Sequence, residues 1–189
     1  VSKTKSTAKA NFEKTTSQEA IQIADELCNR ISKYCEKYDV AGSIRQGKEL
    51  VGDVDIVIIP KTPVDEFIVK IKETIEFEYG GTKKLFGMFM GRPVNIFITT
   101  TESYGACLYQ CTGPALYNVH KRSMAKRKGF KLNEYGLYNR ETGEKVAGDT
   151  EESIYEAMSL TYLEPTDRKA MFWQKKNEET TSTIEANTI

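Results

Sequence analysis

Apolar residues along the chain fall into blocks whose spacing changes several times. From 17 to 37 they recur as Ile21, Ala24, Leu27, Cys28, Ile31, Tyr34 and Cys35. That is one face at helical spacing, and it predicts an amphipathic helix whose stripe is core. Ser17 is the expected N-cap, with Glu19 and Asp25 toward the start and Lys33 and Lys37 toward the end. Residues 38–60, YDVAGSIRQGKELVGDVDIVIIP, change character. A short strand is expected to end at Gly42, and a turn and short helix follow. Val54, Ile56, Val57, Ile58 and Ile59 then read as a buried strand stopped by Pro60. Val64, Phe67, Ile68, Ile71 and Ile75 predict a second amphipathic helix over 64–76. Residues 83–90 and 93–99 read as a hairpin turning at Gly91-Arg92. The pattern is helical from Thr101 to about 128 and strand-like from Phe130 to Val146, with turns at Asn139-Arg140 and Thr142-Gly143. A last helix covers about 151–158. Residues 1–15 and the tail beyond Arg168 are polar, apart from Met171, Phe172 and Trp173, and are expected to be flexible. Strands mix with helices without a βαβ alternation, which predicts an α+β fold with a mixed sheet.

Composition narrows this little. The chain has 189 residues, 39% hydrophobic and 29% charged, enough for one domain or two small units sharing a core. No stretch approaches the roughly 18 apolar residues of a membrane span. The opening VSKTKSTAKANFEK lacks the apolar centre of a signal peptide, so an intracellular setting is expected. Four cysteines, Cys28, Cys35, Cys107 and Cys111, accompany a single histidine, His120. Neither cysteine pair has zinc-finger spacing, and free thiols in a reducing compartment are expected. Lys and Arg total 27 and Asp and Glu 27, so any electrostatic function must come from local patches.

Two such patches stand out. Asp53 and Asp55 are two apart in an otherwise apolar strand, and side chains two apart share a face. Two like charges that close repel unless a cation lies between them. Mg²⁺ takes one or two carboxylates and completes its shell with phosphates and water. Ten residues before Asp53, Gly42-Ser43 opens the turn into a short helix, where free N–H groups can cradle phosphate. Ser43 adds a hydroxyl and Arg45 a charge. A phosphate cradle beside a carboxylate pair is a nucleotide–metal site in outline. The alternatives, a solvated strand end and a simple turn, remain open on these residues alone. The second patch is Lys121, Arg122, Lys126, Arg127, Lys128 and Lys131, which lie in 114–131 with no acid among them. A solvated helix face usually mixes its signs, whereas a uniform cationic run suits a phosphate backbone. Thr112-Gly113-Pro114 breaks one helix and starts the next.

Together these segments resemble the family X DNA polymerases, the DNA polymerase beta family, over about residues 38–168. The motifs stand as GSIRQGKELVGDVDIVI, RPVNIFIT, YQCTGPALYNVHKR and GFKLNEYGLYN, the last followed by TEESIYEAMSLTYLEPTDR. The resemblance implies a nucleotidyltransferase palm over 16–101 and a small α+β thumb-like subdomain over 102–168, with 169–189 as tail. It leaves no room for a deoxyribose-phosphate lyase domain and is closest in form to minimal viral members. It implies a template-directed DNA polymerase that fills short gaps in repair, with two Mg²⁺ ions (Mn²⁺ as a substitute), dNTP and primed or gapped DNA as partners. A monomer in the cytoplasm, or in a viral or nucleoid setting, is expected.

By the same resemblance, Asp53 and Asp55 would bridge both metals. Gly42, Ser43, Arg45, Gly52, Thr112 and Gly113 would surround the nucleotide, and Asn118 would meet the minor-groove edge of its base. Arg122 would face the template, and Glu134 and Tyr135 would join the thumb network.

Three departures matter. The third metal carboxylate is replaced by Asn95, which cannot accept the primer hydroxyl's proton. Impaired chemistry with retained binding is therefore expected. Gln46 replaces a frequent arginine. Gln110-Cys111 replaces an aromatic pair that crowds the sugar, so weak rejection of ribonucleotides is expected. A catalytically silent nucleotide- and DNA-binding module, and a nucleotidyltransferase with another acceptor, are the competing readings.

Overall fold

The computed structural model describes residues 12–168. The expectations for 1–11 and for the tail 169–189 lie outside them. The polar N-terminal segment is held from Glu13 onward. The Glu13 carbonyl accepts from the Arg92 guanidinium, and β1 (Thr15–Thr16) pairs antiparallel with β3 (Leu50–Val51). Helix α1 (Ser17–Ile31) starts at the expected cap residue, and its cap is one residue earlier, where the Thr16 hydroxyl accepts from the Glu19 N–H at 3.3 Å. Its buried stripe is Ala20, Ile23, Ala24, Leu27, Cys28 and Ile31, while Ile21 is 41% exposed.

The helix predicted to reach 37 stops at Ile31. A 3₁₀ turn over Ser32–Tyr34 redirects the chain, and Cys35 already belongs to β2 (Cys35–Val40). The reason is tertiary. From Cys35 opposite Pro60 to Val40 opposite Ile56, this segment pairs antiparallel with β4 (Val54–Pro60), and a buried ladder outweighs helix periodicity. Between them lie the one-turn helix α2 (Gly42–Arg45) and β3.

Helix α3 (Val64–Lys72) buries Phe67 and Ile71 and also ends earlier than its periodicity suggests. The residues beyond it form an unexpected edge strand, β5 (Glu76–Gly80). The hairpin of β6 (Lys84–Phe89) and β7 (Arg92–Ile98) turns at Met90-Gly91, where both φ angles are positive (49° and 73°). Two positive φ values suit the two-residue turn that follows strand twist.

These strands form a five-stranded sheet in the order β2-β4-β7-β6-β5, with β4 and β7 parallel and the remaining neighbours antiparallel. The fold is thus α+β with a mixed sheet. On one face Ile56, Ile58, Ile96 and Leu85 pack with Leu27 and Ile31 of α1 and Phe67 and Ile71 of α3. Full burial of such side chains contributes about 1.5–3 kcal/mol each. On the other face Val57 and Ile59 meet Tyr104, Cys107 and Leu108 of α4 (Tyr104–Thr112).

The opposite side of α4 enters a separate cluster. Ala106 and Tyr109 pack there with Tyr117 and Ala125 of α5 (Ala115–Arg127). The cluster also takes in Leu132 of β8 (Phe130–Asn133), Leu137 of β9 (Gly136–Asn139), and Ile154 and Tyr155 of α6 (Glu151–Ala157). With β10 (Lys145–Ala147) the short strands form an antiparallel sheet, β10-β9-β8. Helix α4 is therefore buried from Tyr104 to Tyr109 because both clusters use it. Its first turn passes so close to the 148–150 segment that a Cβ on Gly105 would lie 2.0 Å from the Thr150 carbonyl carbon. The Gly105 and Ala106 N–H groups donate to the Asp149 and Gly148 carbonyls, which caps the helix. Among the described residues no helix is long and apolar enough to cross a membrane.

Candidate active site

The second residue of β4 is Asp55, and Asp53 sits in the turn just before that strand. Parallel pairing of β4 with β7 sets Asp55 opposite Asn95. The buried Asn95 amide donates from one nitrogen to both carboxylates, to Asp53 Oδ2 at 3.1 Å and to Asp55 Oδ1 at 2.9 Å. The three side chains predicted from sequence to act together are thus in contact. Gly42, at φ 57°, lies directly against this cluster, and a Cβ there would be 2.0 Å from Asp55 Oδ2. Only glycine suits both the left-handed backbone and that approach.

Asp55 opens into a cleft of about 340 Å³ between α2 and the α4–α5 junction. Gly42, Ser43, Asp55, Thr112, Gly113, Asn118 and Arg122 line it, so most of the expected nucleotide-binding set is brought together. Gln46, Lys48, Gln110 and Cys111 also line it. Asn118 is 3% exposed, and its amide donates to the Gln110 carbonyl at 2.9 Å. Its Oδ1 is buried with no hydrogen-bond partner among the described residues. An unmet acceptor at a cleft wall is a ready partner for a donor on a bound molecule. Arg122 reaches Gln110 Oε1 at 3.4 Å.

Two members of the expected set stand elsewhere. Arg45 turns away from the cleft and donates to Glu151 Oε2 at 2.6 Å and to the Thr112 hydroxyl at 2.9 Å. A buried carboxylate, not phosphate, is its partner. Gly52 precedes Asp53 outside the cleft lining, with open space where its Cβ would be.

Among the described residues no group of three or more His, Cys, Asp or Glu could hold a metal ion. Two carboxylates and an amide do fit one Mg²⁺ that shares phosphate oxygens and water, and do not fit an all-protein cage. The four cysteines are free thiols, with the Cys107 and Cys111 sulfurs 4.0 Å apart.

Residues 107–169 match the model of the DNA polymerase beta thumb. Over 158 residues the chain is 27% identical to the DNA polymerase/3′-5′ exonuclease PolX of Bacillus subtilis, covering 80% of this chain and 28% of that protein. Over 157 residues it is 26% identical to the Repair DNA polymerase X of African swine fever virus isolate Pig/Kenya/KEN-50/1950. That match covers 78% of this chain and 90% of the viral protein. The Badajoz 1971 strain protein of the same name is 27% identical over the same length. These matches support a family X polymerase.

In this chain the expected DNA-contacting residues divide. Arg122, Lys126, Arg127, Lys128 and Lys131 are exposed along α5 and β8. Lys121 is not: it is 5% exposed, with its ammonium 5.2 Å from the Tyr117 ring and 5.0 Å from the Tyr155 ring. It faces inward because it lies one helical turn after the buried Tyr117, on the packed side of α5. Glu134 and Tyr135 form the β8–β9 turn. The Tyr135 hydroxyl accepts from Lys83 at 2.5 Å, which joins that turn to the large sheet.

Sequence reasoning missed Lys48, Lys83 and the buried trio around Glu151. Glu151 accepts from Arg45 and, at 2.8 Å, from Arg168, which is fully buried beneath the Tyr109 and Tyr117 rings. Burial pushes the Glu151 carboxyl up, but the Arg45 hydrogen bond and the Arg168 charge outweigh it and hold it below the usual carboxylate range. A lone Glu at a helix start, in TEES, gave no signal beyond a helix N-terminus.

Proposed function

We propose that this chain is a template-directed DNA polymerase acting on short gaps, with chemistry weakened at Asn95. In this reading residues 16–101 are the palm and 102–168 the thumb. The observation that carries it is the Asp53–Asp55–Asn95 cluster, whose Asp55 lines a cleft with the Thr112–Arg122 stretch as its far wall. The reaction joins a primer 3′-oxygen to the α-phosphorus of a dNTP. The bond to the bridging oxygen breaks, pyrophosphate leaves, and the hydroxyl proton passes to a base. Mg²⁺ held by Asp53 and Asp55 would offset the charge developing on the phosphates.

The chain's own residues supply the rest. Gly42 and Ser43 leave room for the triphosphate beside Asp55. Asn118 would face the minor-groove edge, where a guanine N2–H group could donate to its Oδ1, and Arg122 would lie toward the template. Asn95 is neutral and takes up no proton, so it holds the two aspartates in place without accepting the one the hydroxyl must lose. Gln110 and Cys111, smaller than an aromatic pair, leave space where a 2′-hydroxyl would sit, which favours weak sugar discrimination. The decisive experiment is primer extension across a one-nucleotide gap with Mg²⁺, comparing the chain with its Asn95→Asp variant. Extension by the variant alone supports a polymerase with an impaired site.

A second reading, a binding module without catalysis, is favoured by the same two amide hydrogen bonds, which satisfy the aspartates without a cation. It predicts that both proteins bind gapped DNA and neither extends it.

A further inference from the structure

Helix α4 carries two cysteines one turn apart, and residues at that spacing share a helix face. Cys107 is 7% exposed and packs in the cluster of Val57 and Ile59 on the large sheet. Cys111 packs against the same cluster but is only half-buried, and it lines the cleft. One side of the pair is therefore open to whatever enters there. Both residues are free thiols, with their sulfurs 4.0 Å apart. Asp55 lines the same cleft, and its carboxylate draws cations in. Cys28 and Cys35, by contrast, lie in the core cluster on the other face of the sheet. The spacing decides what the α4 pair can do. A disulfide needs Cβ atoms about 3.5–4.5 Å apart, whereas Cβ atoms one helical turn apart are about 5–6 Å apart. A direct sulfur–sulfur bond would therefore open a helix that both clusters share. A bridging atom has no such requirement. Two sulfur–metal bonds of about 2.3 Å at a tetrahedral angle put the sulfurs about 3.8 Å apart. That is close to the 4.0 Å found.

We propose that Cys107 and Cys111 bind a soft, closed-shell cation, Zn²⁺ or Cd²⁺, on the wall of the cleft. Thiolates select such ions over Mg²⁺, which takes oxygen ligands. Each sulfur gives up its proton to solvent as it binds, so two protons leave per ion and nothing is oxidised. A closed structural site would have four protein ligands. Two leave the remaining positions to water from the cleft, which makes the ion exchangeable. The site itself does not depend on the polymerase reading, but its consequence does. On that reading the nucleotide's sugar comes to Gln110 and Cys111, so a bound ion with its waters excludes the nucleotide.

The probe is Cd²⁺, whose bonds to thiolate give an ultraviolet charge-transfer band. Titrating the full chain should raise that band until one ion is bound per chain, and a large excess of Mg²⁺ should leave it in place. Cys111→Ser changes a half-buried side chain and should fold, and Cys107→Ser tests the second ligand. Each should weaken Cd²⁺ binding by at least about 10-fold, the smallest loss usual for partners around a metal. Cys28→Ala should titrate as the unaltered chain does. The site is refuted by the absence of a saturable band in the unaltered chain, by unchanged affinity in Cys111→Ser, or by loss of the band in Cys28→Ala. Exclusion is read separately, with a fluorescent dNTP and enough Mg²⁺ to occupy its phosphates. The Cd²⁺-loaded chain should bind that nucleotide more weakly than the unloaded chain. Equal affinity refutes exclusion and leaves the thiol site standing. If the unloaded chain binds no dNTP, the polymerase reading falls and exclusion with it, while the band still decides the site.

Discussion

At position 95 an amide lies between two carboxylates, and its two hydrogens neutralise what would otherwise be bare repulsion. Replacing it by aspartate removes both donors and adds a third negative charge to a buried position. We therefore expect Asn95→Asp to melt at a lower temperature in chelator and to regain stability on adding Mg²⁺. Thermal melts with and without the ion would read this, and an ion-independent melting temperature would count against a metal site. In the same variant, extension rate should rise by about 10²–10⁴, the usual value of a placed proton acceptor. Gly42 sets the other side of the cluster. Gly42→Ala would strain a left-handed backbone and drive a methyl group into Asp55, so a loss of about 1–3 kcal/mol is expected in urea unfolding. Read as a strand neighbour of Asp55, Asp53 in fact lies in the turn before β4; Asp55, Gly42 and Ser43 were legible in the sequence because a strand pattern and a glycine turn place them. Arg45 was not, because its partner Glu151 is 106 residues away and no local pattern announces such a pair.

The element that ties the parts together is α6, whose first residue is Glu151. Through it, α2 is joined by Arg45 and the end of the described chain by Arg168, with all three side chains largely buried. Removing one partner of a buried ionic group leaves charge uncompensated at a cost of about 3–5 kcal/mol. Glu151→Gln should lose that much in urea unfolding at neutral pH, although Glu151 lies outside the cleft. The pH dependence has a definite sign. The Glu151 carboxyl is held below its ordinary value, so its contribution is complete above the unfolded carboxylate pKa of about 4.3. That contribution is lost as pH falls through the lower folded value. The gap in stability between the natural chain and Glu151→Gln should therefore be constant near pH 6–7 and close as the pH drops below about 4. A gap that persists at pH 3 would mean the carboxylate is not what Arg45 and Arg168 require. At this scale the sequence was readable where one element's own apolar run decides its state, as in β4. It was misread at α1 and α3, whose C-terminal residues keep helical spacing but are claimed by β2 and β5. Pairing with distant strands decides those ends, and a periodicity reading cannot register it.

For the molecule as a whole, equal numbers of acids and bases conceal an uneven surface. Arg122, Lys126, Arg127, Lys128 and Lys131 are exposed on one stretch running from the cleft along α5 into β8, while Lys121 in their midst is buried. If these five meet the DNA backbone, affinity should fall with salt at a slope of log K against log salt of at most about −4.5, since each phosphate contact adds roughly 0.9. Lys126→Ala, Arg127→Ala or Lys128→Ala should each reduce the steepness by about 0.9 and weaken binding alike for all sequences. Lys121→Ala should behave differently. Its ammonium lies over the Tyr117 and Tyr155 rings, so the change should lower stability while leaving the salt slope unaltered. Titrating each variant with gapped DNA between 50 and 200 mM salt separates the two classes. A slope that drops by a full contact in Lys121→Ala would mean that this lysine leaves its aromatic pocket to bind DNA. A slope unchanged in all three exposed variants would mean that the backbone is gripped by another face of the molecule.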